Sequence, residues 1–299
     1  MKIAIFGGTG FIGSAWIEQW VQNGGKVVLF TRQPAKVDFQ ELSESVAVQA
    51  WPLQEELKVD GVINLAGETI NQRWTAKAKA SILESRVNTT RQIVQQILNG
   101  QLQTPTLING SAIGFYGHSL EKTFTERDPS VMKHNDFLGN VTAAWEAEAE
   151  KVLAAGTTRL VKTRFGVVLG RDGGALSRMA LPYRLFAGGP IGNGEQWVSW
   201  IHLQDAIDLL NFCLREEQLS GPVNFTSPTS CTMNELGSAI AAVTRRPHWL
   251  PLPSFACKGL LGEMSDLILK GQKVTPQKAL EHGFSFQYKT VEQALRDLL

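Results

Sequence analysis

Short apolar runs alternate with longer segments of helical period through the first 165 residues, and this alternation most constrains the fold. Residues 2–6, 26–31, 45–50, 61–65, 105–109 and 160–165 read as strands, several rich in β-branched and aromatic side chains. Residues 10–22 read as a helix with Ile12, Trp16 and Trp20 on one face; further helices fall within 75–98 and over 141–154. Strands alternating with helices of this length build βαβ units, hence a Rossmann-type, doubly wound parallel α/β sheet covered on both faces. After about residue 170 the regular period is lost. Thr232-Met-Asn-Glu235 and Thr290-Val-Glu-Gln293 have the form of capping boxes, each opening a helix. We therefore expect a Rossmann domain over 1–170, to which some later chain returns, and a smaller C-terminal α+β substrate or lid region over 171–299.

Composition narrows the function classes. The 29 Lys+Arg against 28 Asp+Glu give a net charge of +1, which argues against dominant attraction to nucleic acid or anionic membrane. Three widely spaced cysteines without CxxC argue against a disulfide framework or structural zinc, and fit a reducing, cytoplasmic setting. No metal-ligand cluster can be assembled from the histidines, and no run of about 18 apolar residues exists to span a membrane.

The first strand runs directly into Gly7-Gly8-Thr9-Gly10-Phe11-Ile12-Gly13, and a helix follows. A glycine-rich strand-to-helix turn lets backbone N–H groups and the positive helix end approach a diphosphate. The residue after the second strand selects the cofactor: a carboxylate there suits NAD, an arginine the 2′-phosphate of NADP. The chain reads Phe30-Thr31-Arg32-Gln33 with no acid before Asp38, so Thr31 and Arg32, or Lys36, point to NADP(H).

GGTGFIG, Asn64-Leu65-Ala66-Gly67 after the fourth strand and Ser111…Tyr116-Gly117 after the fifth resemble the extended short-chain dehydrogenase/reductase superfamily. Within it, NLAGE with Arg73-Trp74, RFGVVLG at 164–170, GGPIG at 188–192, Trp200-Ile-His202…Asp205 and Gly271-Gln-Lys-Val-Thr-Pro276 resemble the YfcH-type epimerase family. The resemblance covers essentially the whole chain. It implies an NAD(P)-binding doubly wound sheet with a C-terminal substrate region, and no particular substrate. By position, Leu53 would lie against the adenine, and Leu65, Ala66 and Gly67 would line the ribose and diphosphate. Glu68 and Arg73 would stand at the mouth of the site, either touching the cofactor or pairing with each other. The resemblance also implies pairing into a homodimer through the helices near 75–98 and 141–154.

The superfamily's Tyr-x-x-x-Lys is missing. Four residues after the three tyrosines, Tyr116, Tyr183 and Tyr288, stand Leu120, Ala187 and Glu292; the matching positions hold Phe137 and Val141. Members acting on sugar nucleotides carry a diphosphate-gripping arginine where this chain has Val198, and a valine cannot bind phosphate. Trp197 and Trp200 hint at an apolar pocket or, Trp200 above all, belong to the core. Ser111 could orient a carbonyl oxygen, and Tyr116 is the local acid/base candidate, with Lys133, His134 and Asp136 as helpers; a tyrosine there also commonly packs behind the site. Arg164 is placed to meet an anionic group, His202 reads as a structural hydrogen bond to Asp205 or backbone, and Cys213 as core. Two functions follow: an NADP(H)-dependent oxidoreductase or epimerase-like enzyme acting on a small non-nucleotide carbonyl or hydroxy compound, or a non-catalytic NADPH sensor.

Overall fold

Strands β1 (Lys2–Phe6), β2 (Lys26–Phe30), β3 (Val46–Gln49), β4 (Gly61–Asn64), β5 (Thr106–Ala112), β6 (Arg159–Phe165) and β7 (Gly221–Phe225) form one sheet. Their order is β7-β6-β5-β4-β1-β2-β3, with every pair parallel. The computed structural model describes residues 1–34, 37, 44–130 and 136–299, so Lys36, Asp38, Lys133 and His134 lie outside the described residues.

After their first lysines, β1 and β2 are apolar without a break because helices cover both faces. Ile3 and Ile5 of β1 with Val27 and Leu29 of β2 meet Trp16, Ile17 and Trp20 of α1 (Phe11–Gln22) on one side. Ala4, Phe6, Val28 and Phe30 face the other way, toward a core shared with Ile93, Val94 and Ile97 of α2 (Ala76–Leu98) and Ala149 of α3 (Phe137–Glu150). Each fully buried Ile or Leu contributes about 1.5–3 kcal/mol, so a one-residue slip in any central strand would exchange two well-packed faces.

Two boundaries that bear on the carboxyl edge of the sheet differ from the sequence reading. α3 begins at Phe137 rather than 141, because Asp136 accepts a hydrogen bond from the Gly139 N–H and caps the helix four residues earlier. β5 continues to Ala112, since its far end pairs with β6 through Ser111↔Arg164 and Ala112↔Phe165. Both extensions bring side chains to the carboxyl edge of the sheet.

Beyond β6, the strand pair at 167–169 and 200–202 carries the chain over that edge. The chain continues through α4 (Leu176–Arg184) and α5 (Leu203–Arg215), whose apolar face, including a fully buried Cys213, returns to the α1 side of the sheet. α6 (Met233–Thr244) and the helix Val291–Leu298 both open on the expected capping boxes, Thr232 with Glu235 and Thr290 with Gln293. They share a second core with Leu169, Tyr183 and Trp200, so Trp200 is core. Residues 272–274 pair with the strand at 119–124, tying the C-terminal part to the exit of β5. Among the described residues, no helix is long and apolar enough to cross a membrane.

Candidate functional site

Order 3-2-1-4 places the crossover reversal between β1 and β4, the point where an open α/β sheet leaves a crevice for ligands. The glycine loop lines it. Gly7 has φ +77°, and a Cβ there would come within 2.6 Å of the Leu65 carbonyl. At Gly13 a Cβ would sit 2.4 Å from the Gly7 oxygen, so this glycine lets α1 pack on the loop. Gly10 differs. A Cβ there would meet only the Gly7 oxygen, at 3.3 Å, and α1 begins after it with no side-chain cap. A glycine at an uncapped helix start, with space above it, fits a diphosphate. Phe11 packs beneath Gly170, Gly173 and Gly174, and Ile12 faces the adjoining cavity.

At the end of β2, the Thr31 N–H donates to Gln49 and the Thr31 hydroxyl accepts from the Gln33 N–H. Arg32 is exposed and makes no ion pair among the described residues. Leu53 is largely buried in a cluster with Phe6, Phe30 and Trp51, where Trp51 stands edge-on to both phenylalanine rings.

The exit of β4 is set by Asn64. Its amide donates to Asn109 and Thr90, and its carbonyl accepts from the Ala66 N–H at 3.2 Å, turning the chain through Leu65, Ala66 and Gly67. The Glu68 N–H donates to Ser85. Glu68 and Arg73 form no ion pair with each other among the described residues, and Arg73 is exposed. Instead Arg86 reaches this turn from α2, donating to the Glu68 carbonyl at 2.9 Å.

A cavity of about 840 Å³ opens beside the loop, lined by Ile12, Leu65, Ser111, Phe137, Trp197 and Val198 among others. Ser111 is at its inner wall, donating to Glu146 Oε1 at 2.6 Å. Glu146, buried on α3, also receives Arg164 Nε and an Arg164 terminal nitrogen at 2.8 and 2.9 Å, and Lys162 at 2.9 Å. The anion that Arg164 meets is thus the chain's own. Burial works against the Glu146 charge, but Arg164, Lys162 and Ser111 outweigh it and hold the carboxyl below its ordinary value.

Tyr116 is behind the site rather than in it. It is fully buried, it does not line the cavity, and its hydroxyl donates to Asn224 at 2.7 Å. Burial pushes the phenol up to about 12, against the pull of Arg164, so neither position nor ionisation suits proton exchange with a substrate. Phe137 does line the cavity, edge-on to Trp74, and Val141 one turn on is buried. His202 caps α5 by accepting from Gln204, and its other nitrogen meets Asp297, not Asp205; Asp205 accepts from the Gln287 and Tyr288 N–H groups instead.

Sequence reasoning missed two cavity residues, His118 and Arg86, and singled out Asp136 without its partner. His118 pairs with Asp136 at 3.1 Å beside Phe137, while Arg86 lies 5.2 Å from the Trp145 ring. Only the meeting of the β5 exit with α2 and α3 makes them neighbours. The network Glu146–Arg164–Lys162 was likewise hidden, although Arg164 was singled out.

The family model of the NAD dependent epimerase/dehydratase family matches residues 3–224, and that of a domain of unknown function, DUF1731, matches residues 252–298. The chain is 45% identical to the epimerase family protein YfhF of Bacillus subtilis, covering 100% of this chain and 98% of that protein. It is 38% identical to a chloroplastic SDR39U1 homologue of Arabidopsis thaliana, covering 100% and 87%. The crystal structure of human epimerase family protein SDR39U1 with NADPH superposes with a TM-score of 0.89 at 31% identity, covering 100% and 99%. This chain belongs to the NAD-dependent epimerase/dehydratase family, within the extended short-chain dehydrogenase/reductases.

Proposed function

We propose that the chain binds NADP(H) along the carboxyl edge of the sheet and acts as an oxidoreductase or epimerase-like enzyme on a small, non-nucleotide carbonyl or hydroxy compound. The observation that carries this reading is the cavity itself, which joins the glycine loop at Ile12 and the β4 exit at Leu65 to an apolar wall at Phe137, Trp197 and Val198. Its size suits a small molecule. The NADPH in the human SDR39U1 structure supports the cofactor.

In this reading Gly7, Gly10, Phe11, Ile12 and Gly13 hold the diphosphate, and Thr31 with Arg32 takes the 2′-phosphate. Leu53 backs the adenine, Leu65, Ala66 and Gly67 line the ribose side, and Glu68 and Arg73 stand at the mouth. Bound NADPH supplies a hydride. Ser111, on the inner wall, meets the substrate oxygen: its hydroxyl, which donates to Glu146 at 2.6 Å, turns to donate to a substrate carbonyl, or keeps that bond and accepts from a substrate hydroxyl. Tyr116 supports Arg164 from behind, its ring 4.8 Å from the guanidinium carbon. The rival reading, a non-catalytic NADPH sensor, draws on Phe137 and Val141 in place of the proton-transferring pair.

The test is a titration with NADPH and NADH, following energy transfer from the eight tryptophans to the dihydronicotinamide. Arg32→Ala should weaken NADPH about tenfold to a hundredfold, the worth of a charge-assisted phosphate contact, and leave NADH unchanged. Ser111→Ala should keep NADPH affinity and lose NADPH oxidation across a panel of small carbonyl compounds. If the wild type oxidises NADPH with none of the panel but binds NADPH and NADP⁺ with different affinities, the sensor reading prevails. If neither nucleotide binds, both readings fail.

A further inference from the structure

Seven ionisable side chains line the cavity, and six of them are paired: Lys79 with Glu263, Lys270 with Asp266 at 2.6 Å, and His118 with Asp136 at 3.1 Å. Arg86 is the one without a carboxylate partner among the described residues. Glu68 acts on it through charge alone, with no ion pair within 4.0 Å, and burial nevertheless holds the guanidinium below its ordinary value. A half-buried cation left uncompensated is costly unless an anion joins it.

The guanidinium is also fixed in place. One terminal nitrogen donates to the Glu68 carbonyl at 2.9 Å and to the Ile82 carbonyl at 3.0 Å, and the group lies 5.2 Å from the centroid of the Trp145 ring. The Gly67 backbone lies so close that a Cβ there would come within 2.9 Å of the Arg86 carbon. The other donors have no protein acceptor among the described residues. An oriented, half-used guanidinium fork is a receptor for a planar oxyanion. One helical turn away, Ile82 packs with Trp74 and Val141 in an apolar cluster that Phe137 and Leu138 extend.

We propose that Arg86 is the anion-binding residue of this cavity, and that its ligand is a carboxylate with an apolar body lying along Trp74, Phe137 and Val141. The proposal rests on the oxidoreductase reading and narrows its substrate to carbonyl or hydroxy acids. A cofactor phosphate has the same oxyanion chemistry. The carboxylate is favoured because a diphosphate already has the uncapped start of α1 beside β1, whereas Arg86 sits between Gly67 and Trp145, and Trp145 packs on Gly110 of β5.

The full chain, with and without saturating NADP⁺, is titrated calorimetrically with benzoate and with benzamide, its neutral counterpart. Benzoate should bind at least tenfold tighter than benzamide. Arg86→Gln should erase that preference while NADPH affinity stays within twofold, and Arg86→Lys, which keeps the charge and loses the fork, should recover only part of it. Should Arg86→Gln fail to fold, the wild-type comparison decides. Equal binding of the two probes overturns the proposal, as does absence of benzoate binding in protein that still binds NADPH. No benzoate preference, together with NADPH affinity lost in Arg86→Gln, assigns the guanidinium to the cofactor phosphates and equally overturns the carboxylate. Wild-type protein that fails to bind NADPH strikes the oxidoreductase reading alone, since the cofactor-free benzoate arm still tests Arg86.

Discussion

Replacing Glu146 by Gln probes the charge network behind Ser111. The carboxylate accepts from Ser111 at 2.6 Å, from Arg164 at 2.8 and 2.9 Å and from Lys162 at 2.9 Å, and both Glu146 and Arg164 are only 3% exposed. A glutamine keeps one acceptor oxygen and turns an amide NH₂ toward donors. Removing one partner of a buried ion pair costs about 3–5 kcal/mol, chiefly because the other charge stays desolvated. Lys162 retains Glu150 at 2.5 Å on a half-exposed carboxylate, so only Arg164 is fully stranded and the lower end, about 3 kcal/mol, applies. At about 2 °C per kcal/mol for a chain of this size, the melting point should fall by about 6 °C. Urea denaturation at pH 7 measures the loss, and the double variant Glu146→Leu, Arg164→Met should recover much of it by removing the stranded charge as well. The pH dependence has a definite sign. The folded-state pKa of Glu146 lies below its unfolded value, so its stabilisation is fully present above the ordinary carboxylate range and is lost as pH falls through the folded value. The gap between wild type and Glu146→Gln should therefore be constant near neutrality and narrow below about pH 4. A loss under about 1 kcal/mol, or a gap that persists in acid, would refute the claim that a desolvated carboxylate organises this wall.

Gly13→Ala would set a Cβ 2.4 Å from the Gly7 oxygen and 2.7 Å from the Gly8 Cα, both backbone atoms that cannot move aside. It should cost about 1–3 kcal/mol in urea denaturation and abolish NADPH binding, whereas Gly10→Ala, with its nearest contact at 3.3 Å, should fold normally and lose affinity only. Asp136→Ala removes the cap on α3 and the partner of His118, and should cost about 1–2 kcal/mol at pH 7. Burial opposes the Asp136 charge, but His118, the Gly139 N–H and Lys270 together lower its pKa, so this cost too should shrink as pH falls through the acid range, as parallel melts at pH 7 and in acid would reveal.

The parts of this protein legible in the residues are those decided within a few positions of one another. Apolar runs and helical periods placed six strands of the sheet to within a few residues, because side-chain alternation and turn chemistry are local. The glycine loop was legible for the same reason, as were the two capping boxes, each closed between residues three apart. β7 was not, since its place beside β6 depends on pairing across 60 residues, Gly221 with Val161. Nor did the residues alone tell which of the candidate groups face the cavity. Ser111 and Tyr116 are five positions apart, yet one lines the wall and the other is sealed against Asn224, more than a hundred residues on. Arg164 was expected to meet an anion, but that anion is Glu146, brought to it by α3 packing on β6. Arg86, lost among the other charges of α2, stands out as the cavity cation without a carboxylate partner among the described residues only when Gly67 and Trp145 close around it. Local periodicity reports backbone geometry; the state of a charged side chain depends on which distant groups share its loss of water, and only the tertiary structure brings those groups together.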